Sequence, residues 1–209
     1  QISTDHCDSW GVTAERYAET GTAFLMAKVS LRITGDMLIG DRLHLITRPA
    51  MPRRAIFCRF TEFFDENGQS TASVDARWIL VDRDTHRILR HPPEALGFPV
   101  MPDTVPTHDF AIRRAEVMQP AGTAAATLCH CDINAHMNNT VYADLVCDVL
   151  PLELMRERPL SSLILAYHRE LKLGEQMDLT LGTLENGGFA AAGHRGGDAI
   201  FEANAAFRA

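Results

Sequence analysis

The sequence predicts an α+β protein of two fused repeats, each a long buried helix wrapped by a curved antiparallel sheet. Three observations predict it in a chain of 209 residues: apolar residues that alternate strictly through several segments, one strongly apolar helix opening at Asn139, and a cluster of prolines at mid-chain. Alternation marks half-buried strands with one apolar face, because successive side chains of a strand point to opposite sides of its sheet.

Taken in order, residues Gln1 to Glu19 read as the tail of a helix. The helix start, and a strand before it, are expected to be missing, since the chain opens at Gln1 with neither an initiator Met nor a signal peptide. From Phe24 to Ile33, Ala27, Val29, Leu31 and Ile33 alternate with Lys28, Ser30 and Arg32. Val74, Ala76, Trp78 and Leu80 then alternate with Ser73, Asp75, Arg77 and Ile79. Near the C-terminus, Ala199, Phe201, Ala203, Ala205 and Phe207 alternate with Ile200, Glu202, Asn204, Ala206 and Arg208. Hairpin chemistry separates the strands at Asp65-Glu66-Asn67-Gly68, Asn186-Gly187-Gly188 and Gly196-Gly197-Asp198. A strand is expected over Ala124 to Cys131, and another over Leu163 to Leu171. Between them, Val141, Tyr142, Leu145, Val146, Val149 and Leu150 keep helical spacing until Pro151 ends the run. With Asp144 and Asp148 its main polar positions, that helix is expected to be mostly buried.

Five of the ten prolines (Pro92, Pro93, Pro99, Pro102, Pro106) fall between residues 91 and 107, as in a linker. The expected organisation is therefore an N-terminal repeat over residues 1–90, a linker over 91–122 and a C-terminal repeat over 123–209. Both repeats run from an alternating strand to a Gly-acid step (Gly40-Asp41; Gly174-Glu175), then to strands with tight turns. That parallel points to an internal duplication.

Composition narrows the function. Hydrophobic residues make up 46% and charged residues 22%, which suits a packed core and not disorder. No apolar run approaches the roughly 20 residues of a membrane helix, so a soluble protein is expected. A net charge of −7 argues against nucleic acid as a partner. The five cysteines are odd in number and unpaired in spacing, as expected for free thiols in a reducing compartment, the cytoplasm. Cys129-His130-Cys131 lacks the turn and the second ligand pair of a zinc site, and reads as two small buried hydrophobes. No metal and no cofactor are expected.

The most informative stretch is Asp132-Ile133-Asn134-Ala135-His136-Met137-Asn138-Asn139. In an extended backbone, Asp132, Asn134 and His136 share a face, bringing an acid, an amide and a titratable base into one small volume. The plainer alternative stands beside it: Asp and Asn are ordinary turn residues, and Asn before an apolar run is an ordinary helix cap. The first repeat has no equivalent set, so one site per chain is expected.

Continued through Thr140-Val141-Tyr142, this run resembles the D-x-N-x-H-x-N-N-x-x-Y segment of the acyl-acyl carrier protein (acyl-ACP) thioesterases. Gly40-Asp41, Trp78-Ile79-Leu80-Val81-Asp82 and Tyr167-His168-Arg169-Glu170 match further segments of that family, in order along nearly the whole chain. The resemblance implies a double hotdog fold and hydrolysis of fatty acyl-ACP to free fatty acid. It places the catalytic set on Asp132, Asn134, His136 and Glu170. Many plant members carry a cysteine after that glutamate; Leu171 stands here, which favours attack by water over a cysteine nucleophile.

A thioester carbonyl also needs stabilisation of its developing negative charge, for which backbone N–H groups around Asn138 and Asn139 at the helix start are the candidates. Glu170 is expected on a strand, sharing a face with Ile164, Ala166 and His168; a solvated ion pair with Arg169 or Lys172 is the plainer alternative. The implied partner is the carrier protein bearing a fatty acyl-phosphopantetheine, met by arginines drawn from Arg53-Arg54, Arg113-Arg114, Arg156, Arg158, Arg169 and Lys172. Trp10, Phe24, Leu25 and Met26 are candidate liners of an acyl slot. An acyl-CoA thioesterase of the same fold and a non-catalytic acyl-binding hotdog are the alternatives, a dehydratase a weaker one, and a homodimer is optional.

Overall fold

The alternating segments 24–33, 73–80 and 199–207 lie in strands, and the three expected hairpin turns connect strands. A computed structural model describes residues 2–99, 101–102 and 104–208; Gln1 lies outside them. Two units divide the chain: residues 1–29 with 34–108, and residues 30–33 with 109–209.

The first unit contains helices α1 (Ile2–Asp8) and α2 (Ala14–Thr20), followed by strands β1 (Thr22–Ile33), β2 (His44–Arg53), β3 (Ile56–Phe64), β4 (Ser70–Asp82) and β5 (Ile88–Leu89). The last residues of β1 group with the second unit. In place of one helix tail over Gln1 to Glu19 there are two short helices. Gly11, at φ 77°, breaks them, and Thr13 restarts the chain in extended conformation as the N-cap of α2. The strand order is β2-β3-β4-β1, with β5 pairing on β4. Trp10, Tyr17, Phe24, Trp78 and Phe98 pack around the buried residues Val12, Phe57, Leu80 and Leu96. Trp10 and Phe24, expected as slot liners, are thus part of this core, while Leu25 and Met26 are half-buried.

The second unit contains β6 (Gln119–Ala125), α3 (Asn139–Val149), α4 (Leu152–Glu157), β7 (Leu160–Tyr167), β8 (Gln176–Thr183), β9 (Phe189–Arg195) and β10 (Asp198–Phe207). Its order is β6-β8-β9-β10-β7. Removing β6 leaves the same path as in the first unit. The two Gly-acid steps match as well: Asp41 Oδ2 accepts the Leu38 N–H at 2.7 Å, and Glu175 Oε2 accepts the Lys172 N–H at 2.9 Å, each three residues back. This repetition of topology and turn chemistry supports an internal duplication.

Three local expectations are corrected. First, the strand expected over Ala124 to Cys131 ends at Ala125, because Ala126 turns to bond the Gly174–Glu175 backbone and Leu128–His130 form a 3-10 turn. Cys129 is exposed and Cys131 half-buried, so neither is a buried hydrophobe. Second, the strand expected to reach Leu171 stops at Tyr167. Third, α3 is buried along one stripe only, Tyr142 and Val146 continued by Leu150; Val141, Leu145 and Val149 remain half-buried. A helix lying on one sheet face covers one stripe, whatever its overall apolarity.

The proline-rich segment is packed, not a free spacer. Leu96 is fully buried in the first core. His108 and Arg113 are each captured by a polar side chain that strand alternation had placed towards solvent. Asp75 on β4 is 0% exposed; its Oδ2 accepts the His108 N–H at 3.0 Å and pairs with Arg77 at 2.6 Å. Asn204 on β10 takes the Arg113 N–H at 2.6 Å and returns a bond to the Arg113 carbonyl at 2.9 Å, mimicking a strand neighbour. Buried polar groups are retained where they are bonded, and here the linker supplies one bond to Asp75, beside that of Arg77, and two to Asn204.

Candidate active site

Asp132 does not lie on an extended face with Asn134 and His136. The Ala135 N–H donates to the Asp132 carbonyl at 3.0 Å, closing a tight turn, and Ala135 is held left-handed at φ 60°. That conformation costs a non-glycine residue about 1–2 kcal/mol. The turn still draws the three side chains together by another route. Asp132 Oδ1 accepts the N–H of Asn134 at 2.8 Å and of His136 at 3.3 Å, while its Oδ2 lies 3.4 Å from Asn134 Nδ2. Aspartate as a turn organiser is local chemistry; its result is an acid and an amide joined under a histidine.

Glu170 arrives from the irregular segment after β7. The Met137 N–H donates to the Leu171 carbonyl at 2.8 Å and the Leu173 N–H to the Ala135 carbonyl at 2.9 Å, so residues 135–137 and 171–173 pair as a miniature antiparallel ladder. His136 Nδ1 and Glu170 Oε2 are thereby brought to 3.3 Å, with the two side chains 28% and 46% exposed. Arg169, one of the two ion-pair partners considered for Glu170, pairs instead with Asp198 at 2.9 Å. His168, on the far side, bonds Glu202 at 2.9 Å and stays outside this cluster.

At the helix start, Asn138 is a true N-cap: its Oδ1 accepts from the Thr140 N–H at 3.0 Å and the Thr140 hydroxyl at 2.9 Å. Its own N–H donates to the His130 carbonyl at 2.8 Å and is spent. The N–H of Asn139, first residue of α3, has no intrahelical acceptor by position and sits at the positive end of the helix dipole. Among the described residues, no group of three or more His, Cys, Asp or Glu is placed to hold a metal.

Sequence reasoning missed two participants. The Tyr167 hydroxyl donates to the Asn139 carbonyl at 3.0 Å, and its ring meets that of the buried Tyr142 edge to face, 5.5 Å between centroids. Both tyrosines had been counted as motif or helix-face residues; a buried tyrosine's need for a polar partner was the available signal.

Burial pushes the Tyr142 hydroxyl up to about 12, opposed by the Leu171 backbone dipole and reinforced by the Glu170 charge. Tyr17 and Tyr167, the remaining tyrosines, are likewise pushed upward, chiefly by burial. A raised pKa means the folded state holds the proton more tightly, so this stability is present below pH 10 and is lost as pH rises towards 12. Urea-unfolding midpoints are expected to fall progressively above pH 10, and less steeply in Tyr142→Phe. A flat midpoint across that range would contradict the assignment.

Two antiparallel units of one strand path make this a double hotdog protein, and the family its sequence matches makes it a thioester hydrolase. The acyl-ACP thioesterase N-terminal domain model matches residues 1–97 and the C-terminal domain model residues 127–206. The chain belongs to the acyl-ACP thioesterase family. Among solved structures, an acyl-ACP thioesterase from Bacteroides thetaiotaomicron is 16% identical with a TM-score of 0.82, covering 99% of this chain and 85% of its own. The 12:0-ACP thioesterase from Umbellularia californica is also 16% identical, with a TM-score of 0.80 and the same coverage, 99% and 85%. A MaoC-like dehydratase follows at 12% identity and a TM-score of 0.59, covering 89% of this chain and 75% of its own. At these identities the likeness is one of fold. No sequence among the curated proteins matches this chain.

Proposed function

We propose that this protein hydrolyses fatty acyl-ACP in fatty acid biosynthesis, with Asp132, Asn134, His136 and Glu170 as its catalytic set. The observation that carries the assignment is the 3.3 Å approach of His136 Nδ1 to Glu170 Oε2 beside the Asp132 turn. Glu170 is the general base on water, and Asn134 and His136 orient that water and the substrate carbonyl. Asp132 holds both by their backbone N–H groups. The water oxygen bonds the acyl carbon, the C–S bond breaks, and the proton taken from water reaches the departing phosphopantetheine sulfur. The Asn139 N–H, at the helix N-terminus, faces the developing oxyanion; Asn138 shapes that end as its cap.

A second assignment draws on the same contact. With Nδ1 directed at Glu170, His136 presents Nε2 as the base, and Glu170 orients and stabilises the imidazolium, as the carboxylate does in a Ser-His-Asp triad. In either case the pair works as a unit.

The partner is an acidic carrier protein. Of the candidate cations, Arg156 is tied to Glu153 at 3.0 Å in an exposed pair weak enough to exchange for a partner's carboxylates, and the exposed Arg114 reaches the half-buried Glu202 at 3.3 Å. The cysteines are free, as suits a reducing, cytoplasmic setting. Among the described residues no helix is long and apolar enough to cross a membrane.

Mass-spectrometric detection of free fatty acids from a mixed acyl-ACP panel, with acyl-CoA in parallel and Glu170→Ala as control, tests the function. Release from acyl-ACP that Glu170→Ala abolishes is the expected result. Faster release from acyl-CoA would reassign the carrier, and binding without turnover would make the protein an acyl binder.

A further inference from the structure

A cavity of about 450 Å³ lies within the second unit, against the face of β9 and β10 that turns away from α3. Strand alternation sets its floor. Phe201 points at Tyr142 of α3, 5.3 Å between ring centroids, so Glu202 beside it points to the opposite face. Ala192, directly across the ladder from Glu202, shares that face, as do Ala190 and His194 two residues to either side. The wall is the linker, from which Ile112, Ala115 and Met118 line the cavity. That segment is fixed by the Arg113–Asn204 bonds at 2.6 and 2.9 Å and by its seat against Gly182, so it does not settle onto the short side chains of Ala190 and Ala192. Protein interiors leave few voids larger than a water, whereas ligand pockets span about 300–1,000 Å³. This space has the size of a pocket.

Its polar groups sort by charge. Glu202 is the one carboxylate in the lining, and both its oxygens are taken, by His168 at 2.9 Å and by Arg114 at 3.3 Å. Arg113 uses only its main chain on Asn204; among the described residues neither its guanidinium nor the His194 ring meets a partner. The cavity therefore offers unspent donors and positive charge beside an apolar floor, which suits an alkyl chain ending in an anion. None of Asp132, Asn134, His136 and Glu170 lines it. We propose that this cavity is a second, non-catalytic site, which binds an alkyl carboxylate of the class that the hydrolysis releases. The carboxylate meets Arg113 and His194, and the chain lies along Ala190 and Ala192. The ligand class rests on the reading of the protein as a fatty acyl-ACP hydrolase; the charge and shape of the cavity do not.

The test titrates sodium dodecanoate, below its micelle concentration, calorimetrically into the parent chain, Ala192→Leu and Arg113→Gln, with dodecanol as the uncharged comparison. The parent is expected to bind dodecanoate saturably and dodecanol more weakly. Ala192→Leu fills the floor and Arg113→Gln removes the unspent charge; each should weaken dodecanoate binding by about 10-fold, the scale of one charge-assisted hydrogen bond. Ala192→Leu should keep parental kcat on acyl-ACP, since no catalytic residue lines the cavity. No saturable binding to the parent overturns the site, and so does dodecanol binding as tightly as dodecanoate. Unchanged dodecanoate affinity in both variants overturns it too, by placing the ligand in the catalytic slot. Should Ala192→Leu lose Tm, Arg113→Gln decides alone, because its exposed side chain can change while its main chain keeps the Asn204 bonds. Binding needs no turnover: a parent that leaves acyl-ACP uncleaved overturns the hydrolase reading, and the titration still decides the site.

Discussion

Glu170→Gln is expected to lower the single-turnover rate of fatty acyl-ACP hydrolysis by about 10²–10⁴-fold, the range over which a positioned general base contributes. Glutamine fills the same volume and can still meet His136 Nδ1 across the 3.3 Å gap, so folding and substrate binding should persist. What it lacks is the charge that draws a proton from water or steadies the histidine once protonated. Asp132→Asn is the informative companion. Asp132 Oδ1 serves two backbone N–H groups, and an asparagine oxygen can serve them too. A modest loss in Asp132→Asn beside a large loss in Glu170→Gln assigns the turn aspartate to positioning. Near-normal chemistry in Glu170→Gln would move the base to His136 or Asp132 and remove the central assignment.

Gly182→Ala is expected to have the largest effect on stability. A Cβ built on Gly182 would lie 2.4 Å from the Val117 carbonyl oxygen, 2.6 Å from Ala115 Cβ and 2.8 Å from Met118 Sδ. The nearest of these is backbone and cannot swing aside, so the segment 115–118 must lift from β8. Overpacking of this kind costs about 1–3 kcal/mol. The same segment is anchored by the Arg113–Asn204 bonds, which would be strained or broken as it lifts. Urea denaturation read by circular dichroism checks the result: an unchanged midpoint would mean that the linker is not seated on β8 as the structure places it.

The folding logic of most elements could be read locally. Three hairpins form where Gly and Asn or Asp punctuate alternating runs; at the first, Asp65 Oδ1 takes the N–H groups of Asn67 at 2.9 Å and Gln69 at 2.8 Å. The apolar spacing of α3 and a helix start at the Asn138–Asn139 pair were legible for the same reason, since spacing and capping act within a few residues, but the cap is Asn138 and not Asn139, and only the stripe Tyr142–Val146–Leu150 is buried. Side-chain exposure on β4 and β10 was not. Alternation placed Asp75 and Asn204 in solvent, and both are buried because the linker folds back over each.

The candidate site divides in the same way. By itself the sequence determined the acid–amide–histidine spacing, the cap that starts the helix and the presence of a later glutamate, because turn and cap chemistry is carried by neighbouring residues. Tertiary structure alone decided that the run is a turn with Ala135 left-handed, that Glu170 faces His136 while Arg169 pairs with Asp198, and that the Tyr167 hydroxyl reaches the Asn139 carbonyl. Those outcomes depend on a backbone pairing between residues 135–137 and 171–173, more than thirty positions apart. Periodicity reports which face of a segment is apolar; it carries no information on which distant segment will complete its hydrogen bonds.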